Sequence, residues 1–159
     1  MDDIQLLDEI NRRLREALAQ GKTPALSYDR VSTEEQAATG TSLVDQNTRA
    51  REYADNNNLF LVYQFTAAES AFKEGRETFN RMIDLALQTG IQHIIFKNPD
   101  RLSRNARDWT RCKELARQGR IILHFYELGS VLEEQSTAET ELFLDNTSVM
   151  AAYWSRKIS

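Results

Sequence analysis

The sequence alternates four short apolar runs with helical patterns, and this order constrains the fold more than any other feature. The apolar runs are typical of strands and lie at residues 25–31, 59–65, 93–97 and 121–127. Between them, apolar residues recur at the three- and four-residue spacing of one helix face. Because strands separated by helices usually pair in parallel, the order predicts an α/β fold: a central, mainly parallel sheet flanked by helices.

Both ends of the chain carry a further helical pattern. Residues 3–19 form an amphipathic repeat before the first strand. Near the other end, Ser136 and Glu139 have the spacing of a capping box and predict a long C-terminal helix that reaches the last residue. We expect the first helix to pack back on the domain or to swap between subunits. The predicted divisions are an N-terminal helical extension at 1–22, a core at 23–135 and the start of the long helix at 136–159.

The charge is unevenly distributed along the chain. The formal net charge is −4 and the pI is near 5.3, which is unfavourable for strong general binding to DNA because DNA affinity depends on cations meeting phosphates. Residues 97–120 nevertheless hold eight Lys or Arg and three acids, while residues 127–145 hold six acids and no Lys or Arg. A basic patch on an acidic background suits a local phosphate site.

Several classes of protein are excluded by simple sequence criteria. No run approaches the roughly 18 apolar residues of a membrane span, and the N-terminus lacks the features of a secretory signal. Cys112 is the single cysteine, so it excludes an internal disulfide and a cysteine-cluster zinc site. His93 and His124 have no third ligand in view. We expect a cytoplasmic protein with no membrane association, no metal and no cofactor.

Polar residues with catalytic potential stand at the end of the first strand. Side chains alternate along a strand, so Tyr28, Arg30 and Ser32 share one face. Ligands bind at the carboxyl ends of parallel strands, where Arg30 and Ser32 would emerge together. An arginine beside a hydroxyl suits attack on a phosphate, although a loop serine near a surface arginine would give the same letters.

A second polar group follows the third strand, at residues 98–105. Arg101 and Arg104 are three residues apart and would lie on one side of a first helical turn. Helix N-termini attract anions, and two arginines there would clamp a phosphate. Asp100 stands where a helix cap or a proton-handling carboxylate would stand. An ordinary helix start with a solvated basic face is the alternative.

The combination of these motifs resembles the resolvase/invertase family of serine recombinases. The residues that carry the resemblance are YDRVSTEEQ at 28–36, SLVDQ at 42–46 and DRLSRN at 100–105, and the match spans about residues 25–158. The segments LHFYE at 123–127 and AAYWSRKIS at 151–159 are more similar to the large serine recombinases than to the small invertases.

The resemblance implies site-specific DNA recombination through a covalent 5′-phosphoserine intermediate, in a bacterial or phage protein. Ser32 would be the nucleophile, and Arg30 in the Y-x-R-V-S motif would bind the scissile phosphate beside Tyr28. Arg76 occupies the position of the family's mid-chain catalytic arginine, in what we predict to be a loop before a helix at residue 79.

The D-R-L-x-R motif supplies the remaining catalytic roles by the same resemblance. Asp100 would be the acid for the leaving oxygen, and Arg101 and Arg104 would stabilise the transition state. Gln46 matches a glutamine that helps to order the site, and Arg156 matches an arginine of the long helix.

Residue chemistry agrees with a reaction that uses guanidinium groups. Phosphoryl transfer depends mainly on positioning and charge stabilisation. Two-metal enzymes use clustered carboxylates, whereas these motifs supply one carboxylate and several arginines. The composition of the motifs predicts a metal-free reaction whose covalent intermediate conserves the phosphodiester energy for resealing.

Partners follow from the resemblance as well. Family members dimerise through the long helix and act on DNA as tetramers at synapsis. The sequence contains neither a downstream helix-turn-helix nor a cysteine-rich zinc ribbon, so we expect this domain alone to bind DNA weakly.

Two other functions remain open from the sequence. The chain could be a non-catalytic domain that keeps the fold, dimerises and regulates a recombinase. It could also be a flavodoxin-like domain that binds a small phosphate ligand at the same strand ends, although it lacks a glycine-rich phosphate loop.

Overall fold

The computed structural model describes residues 1–31, 42–68, 72–102 and 106–148, with the backbone alone described at 31, 42–46 and 72–74. Its strands are β1 (Thr23–Val31), β2 (Leu59–Ala68), β3 (His93–Phe96), β4 (Ile122–Phe125) and β5 (Ser130–Leu132). Its helices are α1 (Asp3–Ala19), α2 (Ser42–Asn56), α3 (Phe72–Thr89), α4 (Pro99–Leu102), α5 (Ala106–Arg117) and α6 (Ala138–Asn146).

The five strands form one sheet in the order β2-β1-β3-β4-β5. The first four are parallel to their neighbours, and β5 runs antiparallel to β4. The predicted α/β fold with a mainly parallel sheet flanked by helices is therefore confirmed. The three-residue β5 is an addition that the sequence did not indicate, because so short a strand has no readable alternation.

Helices cover both faces of the sheet. On one face, a large core joins Leu26 and Tyr28 of β1 to side chains from α1, α3, α5 and α6, with Trp109 fully buried. On the other face, a smaller core joins Ala25 to Ala50 and Ala54 of α2. Alternation along β1 thus sends neighbouring residues to two different helical layers.

The first helix packs back on its own chain. Leu6 and Ile10 enter the main core, and Arg13 donates from Nη2 to the Leu61 carbonyl at 3.0 Å while its guanidinium lies 5.0 Å from the centre of the Phe60 ring. These contacts make α1 one of the layers that cover the sheet. Among the described residues, no helix is both long and apolar enough to cross a membrane.

The boundary between β2 and α3 differs from the prediction. Residues 66–77 were expected to form a polar loop, but β2 continues to Ala68 and α3 already begins at Phe72. The apolar face that marks this helix starts only at Phe79, because its first turns are mostly polar. Arg76 therefore lies inside α3, and the predicted loop position was wrong.

The helix predicted from Ser136 to the end of the chain is also corrected. α6 begins after Thr137, whose hydroxyl accepts from the Thr140 backbone amide at 3.2 Å, and it ends at Asn146. The next two hydroxyls bond backwards, from Thr147 to the Leu144 carbonyl and from Ser148 to the Asp145 carbonyl. Such bonds satisfy the last carbonyls of a helix and favour its termination. Residues 149–159 lie outside the described part of the chain.

Candidate active site

The end of β1 presents two of the predicted site residues on one face. Tyr28 and Arg30 are both buried, with 2% and 7% of their surface exposed. The Tyr28 hydroxyl donates to the Gly75 carbonyl at 3.4 Å, and its ring meets Phe79 edge-on. This contact fixes the start of α3, and with it Arg76, beside the carboxyl end of β1.

The Arg30 and Arg101 side chains each donate to a backbone carbonyl of the other's segment. Arg30 donates from Nη2 to the Asp100 carbonyl at 2.8 Å, and Arg101 donates from Nη1 to the Arg30 carbonyl at 2.9 Å. The Asn98 side chain accepts from the Arg101 amide at 3.0 Å and so caps the start of α4. Two motifs about 70 residues apart in sequence are thereby locked together at one edge of the sheet.

Asp100 lies at the surface of this edge. Its side chain is exposed, whereas its carbonyl oxygen is the acceptor for Arg30. Asp100 therefore offers its carbonyl to the interior and its carboxylate to the surface.

Asp29 is a buried acid that the sequence analysis missed. It is 1% exposed, and neither carboxylate oxygen has a hydrogen-bond partner. Burial raises the pKa of Asp29 to about 7, against the opposing charges of Arg101 and Lys97. Alternation puts this residue on the strand face away from Arg30 and Ser32, and the motif gives it no role. An acid inside the apolar strand was the available signal.

Arg76 is exposed and lines a cleft of about 570 Å³ between α3 and α5. Arg107 and Arg111 line the same cleft. Arg111 is held by Asp84, at 3.6 Å, and by the Asn80 side chain. The cleft carries positive charge and can receive an anion.

The remaining predicted site residues are not described at side-chain level. Ser32, Arg104 and Arg156 lie outside the described residues, and Gln46 lies in α2 with only its backbone described. Their roles stay predictions.

The two histidines form a partly buried polar chain on the α2 side of the sheet. His93 Nδ1 lies 2.8 Å from His124 Nε2, and His124 Nδ1 lies 2.8 Å from the Tyr53 hydroxyl. Burial lowers the pKa of His124 to about 4. In the described part of the chain, no group of three or more His, Cys, Asp or Glu could hold a metal ion.

Comparison with known proteins identifies the family of this chain. The family model for the resolvase N-terminal domain matches residues 25–159. A comparison with curated proteins gives no significant match. A resolvase family site-specific recombinase from Streptococcus pneumoniae has a similar structure over 86% of this chain and 89% of that chain, with 22% identity and a TM-score of 0.62.

Two further solved structures are similar. The N-terminal catalytic domain of TP901-1 integrase matches over 86% of this chain and 98% of that chain, with 22% identity and a TM-score of 0.56. The C-terminal catalytic domain of ISC1926 TnpA, an IS607-like serine recombinase, matches over 77% of each chain, with 18% identity and a TM-score of 0.54. At these identities the likeness establishes the fold. Because the family model covers the chain from β1 to its last residue, the protein belongs to the resolvase family of serine recombinases, as a catalytic domain.

Proposed function

We propose that this domain cleaves and rejoins DNA at specific sites through a 5′-phosphoserine intermediate on Ser32. The Ser32 oxygen bonds to the scissile phosphorus while the bond from phosphorus to the 3′ oxygen breaks. The hydroxyl proton of Ser32 passes to water, and the departing oxygen takes a proton from Asp100 to become a free 3′ hydroxyl. The reverse attack by a 3′ hydroxyl from another strand reseals the DNA without an external energy source.

The observation that carries the proposal is a pair of crossed hydrogen bonds, from Arg30 to the Asp100 carbonyl and from Arg101 to the Arg30 carbonyl. It concentrates two guanidinium groups at the end of β1, two residues before Ser32. Fixed cations stabilise the charge that develops on a phosphate during transfer, and they need no reorganisation at the moment of reaction. A flavodoxin-like ligand site would need no such pair next to a hydroxyl.

The other roles follow the family pattern. Arg76 would reach the phosphate from its cleft, and Arg104 would complete the clamp with Arg101. Asp100 would supply the proton for the leaving oxygen, and its exposed side chain is accessible to a DNA strand. Gln46 would help to order the loop that carries Ser32.

The assembly in this proposal is a dimer that becomes a tetramer at synapsis. Residues 136–159 would provide the dimer contact and include Arg156, residues 23–135 would be the catalytic core, and residues 1–22 would be an added helical cover. We expect a cytoplasmic setting, in a bacterial or phage system, and weak binding of DNA by this domain alone.

A covalent-adduct assay tests the proposal. The full chain, fused to a helix-turn-helix module of known site, is incubated with labelled DNA in EDTA and then denatured. We expect a label-shifted protein band that is absent from Ser32→Ala. DNA that is bound without any adduct would favour the non-catalytic regulatory domain, and an adduct that persists in Ser32→Ala would mean that another residue is the nucleophile.

A further inference from the structure

Asp29 stands apart from every other acid in the described residues. It lies on β1 between Tyr28 and Arg30, and alternation puts its side chain on the opposite face of the sheet, the face on which Ala25 packs against α2. Its residue surface is 1% exposed, and both carboxylate oxygens lack a hydrogen-bond partner. A buried carboxylate without partners costs several kcal/mol in general, so its presence calls for a compensating role.

Two cations act on this carboxylate. Arg101 of α4 has the largest opposing effect, and Lys97 at the end of β3 has the next. Lys97 is itself 3.7 Å from Glu127, at Nζ and Oε2. Arg101, in contrast, is directed at β1, because its Nη1 donates to the carbonyl of residue 30, the next residue after Asp29.

Arg101 is thus held to β1 by a hydrogen bond at one residue and by charge at its neighbour. We infer that Asp29 is a positioning residue that holds Arg101 at the carboxyl end of β1, acting from the opposite face of the sheet. The inference rests on the proposed function, in which Arg101 contacts the reacting phosphate. Asp29 itself does not touch DNA.

The charge state of Asp29 decides whether it can hold Arg101 at the carboxyl end of β1. Among the described residues, the charged groups that act on Asp29 are Arg101 and Lys97, and Lys97 is paired with Glu127. The helix α2 covers this face of the sheet, and its first described charged side chain is Arg49. Because burial raises the pKa of Asp29 to about 7, the carboxylate is mostly protonated below that pH and then attracts Arg101 weakly. We therefore expect the hold on Arg101 to strengthen as the pH rises through 7.

The first arm of the test measures the rate of adduct formation against pH in the fused full chain. Asp29→Asn keeps the shape and removes the charge, and we expect it to form the adduct about tenfold more slowly at pH 8 and to lose the rise near pH 7. Ser27→Ala is the matched control, because Ser27 is a buried residue on the same strand face whose hydroxyl also has no partner. It should behave like the wild type.

The second arm needs no catalysis. The Asp29 carboxyl is titrated by carbon NMR in the wild type, in Arg101→Ala and in Lys97→Ala. Removing the Arg101 charge should move the midpoint to a pH about 1 higher, and removing Lys97 should move it less. Arg12→Ala, on the outer face of α1, should leave it unchanged.

The outcomes separate the two ideas. If the wild type forms the adduct and Asp29→Asn matches it in rate and pH profile, the inference is overturned and the proposed function stands. If the wild type forms no adduct, the proposed function fails, and the positioning role of Asp29 in that reaction fails with it. A midpoint that Arg101→Ala leaves in place would overturn the coupling whatever the adduct assay gives.

Discussion

Single residues at the end of β1 divide between the two faces of the sheet. Tyr28 and Arg30 turn toward the layer that holds α3, and Asp29 turns toward α2. The strand therefore presents an arginine on one side and a buried acid on the other. Function at this scale depends on alternation, the same rule that predicted the shared face of Arg30 and Ser32.

The Arg30 guanidinium should be irreplaceable by an ammonium. Arg30→Lys keeps the charge but cannot hold the Asp100 carbonyl and present a planar donor pair to a phosphate at once. We expect the rate of adduct formation to fall by about two orders of magnitude. Unchanged thermal unfolding of the variant would show that the loss is chemical, and a rate within twofold of wild type would contradict a phosphate contact.

Asp29→Asn should stabilise the protein at alkaline pH. In the folded protein the pKa of Asp29 is raised from 3.8 to about 7, so its favourable contribution is present below pH 4 and is lost as the pH rises through 7. Asparagine does not titrate, and the advantage of the variant should grow from pH 5 to pH 8, toward at most about 4 kcal/mol. Urea unfolding at several pH values measures this difference. A constant difference would show that the Asp29 pKa is not raised.

Whole elements were predictable where their apolar pattern was long. The four parallel strands and the helical layers were predicted because apolar strand runs alternate with helical spacing along the sequence, and the structure contains both. The start of α3 was missed because its first turns are polar, and β5 was missed because it has three residues. The end of α6 was missed because the hydroxyls of Thr147 and Ser148 override a favourable helical sequence.

The site was predictable from motifs but not from packing. Motif spacing indicated Arg30 and Arg101 as candidate site residues. Their hydrogen bonds go to the backbone carbonyls of Asp100 and Arg30, which no residue pattern reveals. The position of Arg76 was misread because it depends on where α3 begins. Asp29 stands at the variable position of the Y-x-R-V-S motif, which gives it no role, and only its burial makes it notable.

The helix α1 should contribute to folding as a core element. Ile10 is fully buried, and Ile10→Ala should lower the free energy of unfolding by roughly 2–5 kcal/mol. Ile4 lies on the same helix with 74% of its surface exposed, and Ile4→Ala should change stability by less than about 0.5 kcal/mol. Chemical denaturation compares the two variants. Equal effects would mean that α1 does not pack as described.

The helix α6 should be held to α5 by Asp145. This carboxylate accepts from Trp109 Nε1 at 2.7 Å and from Lys113 Nζ at 3.0 Å. Asp145→Ala leaves the indole N–H without its acceptor, which should cost about 1–3 kcal/mol and raise hydrogen exchange in α6. Glu139→Ala on the exposed side of α6 is the control. Protected α6 amides in Asp145→Ala would contradict this role.

The molecule as a whole has an acidic surface with a basic edge. With a net charge of −4, the chain alone should bind DNA weakly, and its affinity should fall as salt rises, with a logarithmic slope of about −0.9 for each phosphate contacted. Arg101→Ala should reduce that slope by about one contact. Fluorescence anisotropy over a salt series measures it, with Arg12→Ala as control, since Arg12 is paired with Glu9 and Glu16 on α1.

The hydrogen bonds from Arg30 and Arg101 to backbone carbonyls have a genetic consequence. Each arginine donates a hydrogen bond to a main-chain carbonyl oxygen, and every amino acid has such an oxygen. Residue 100 can therefore be substituted without loss of the hydrogen bond from Arg30. The arrangement of the backbone at this edge does not depend on which side chain position 100 carries. If Asp100 donates the proton as proposed, an Asp100→Asn variant should lose DNA cleavage while it keeps the fold and the hydrogen bond from Arg30.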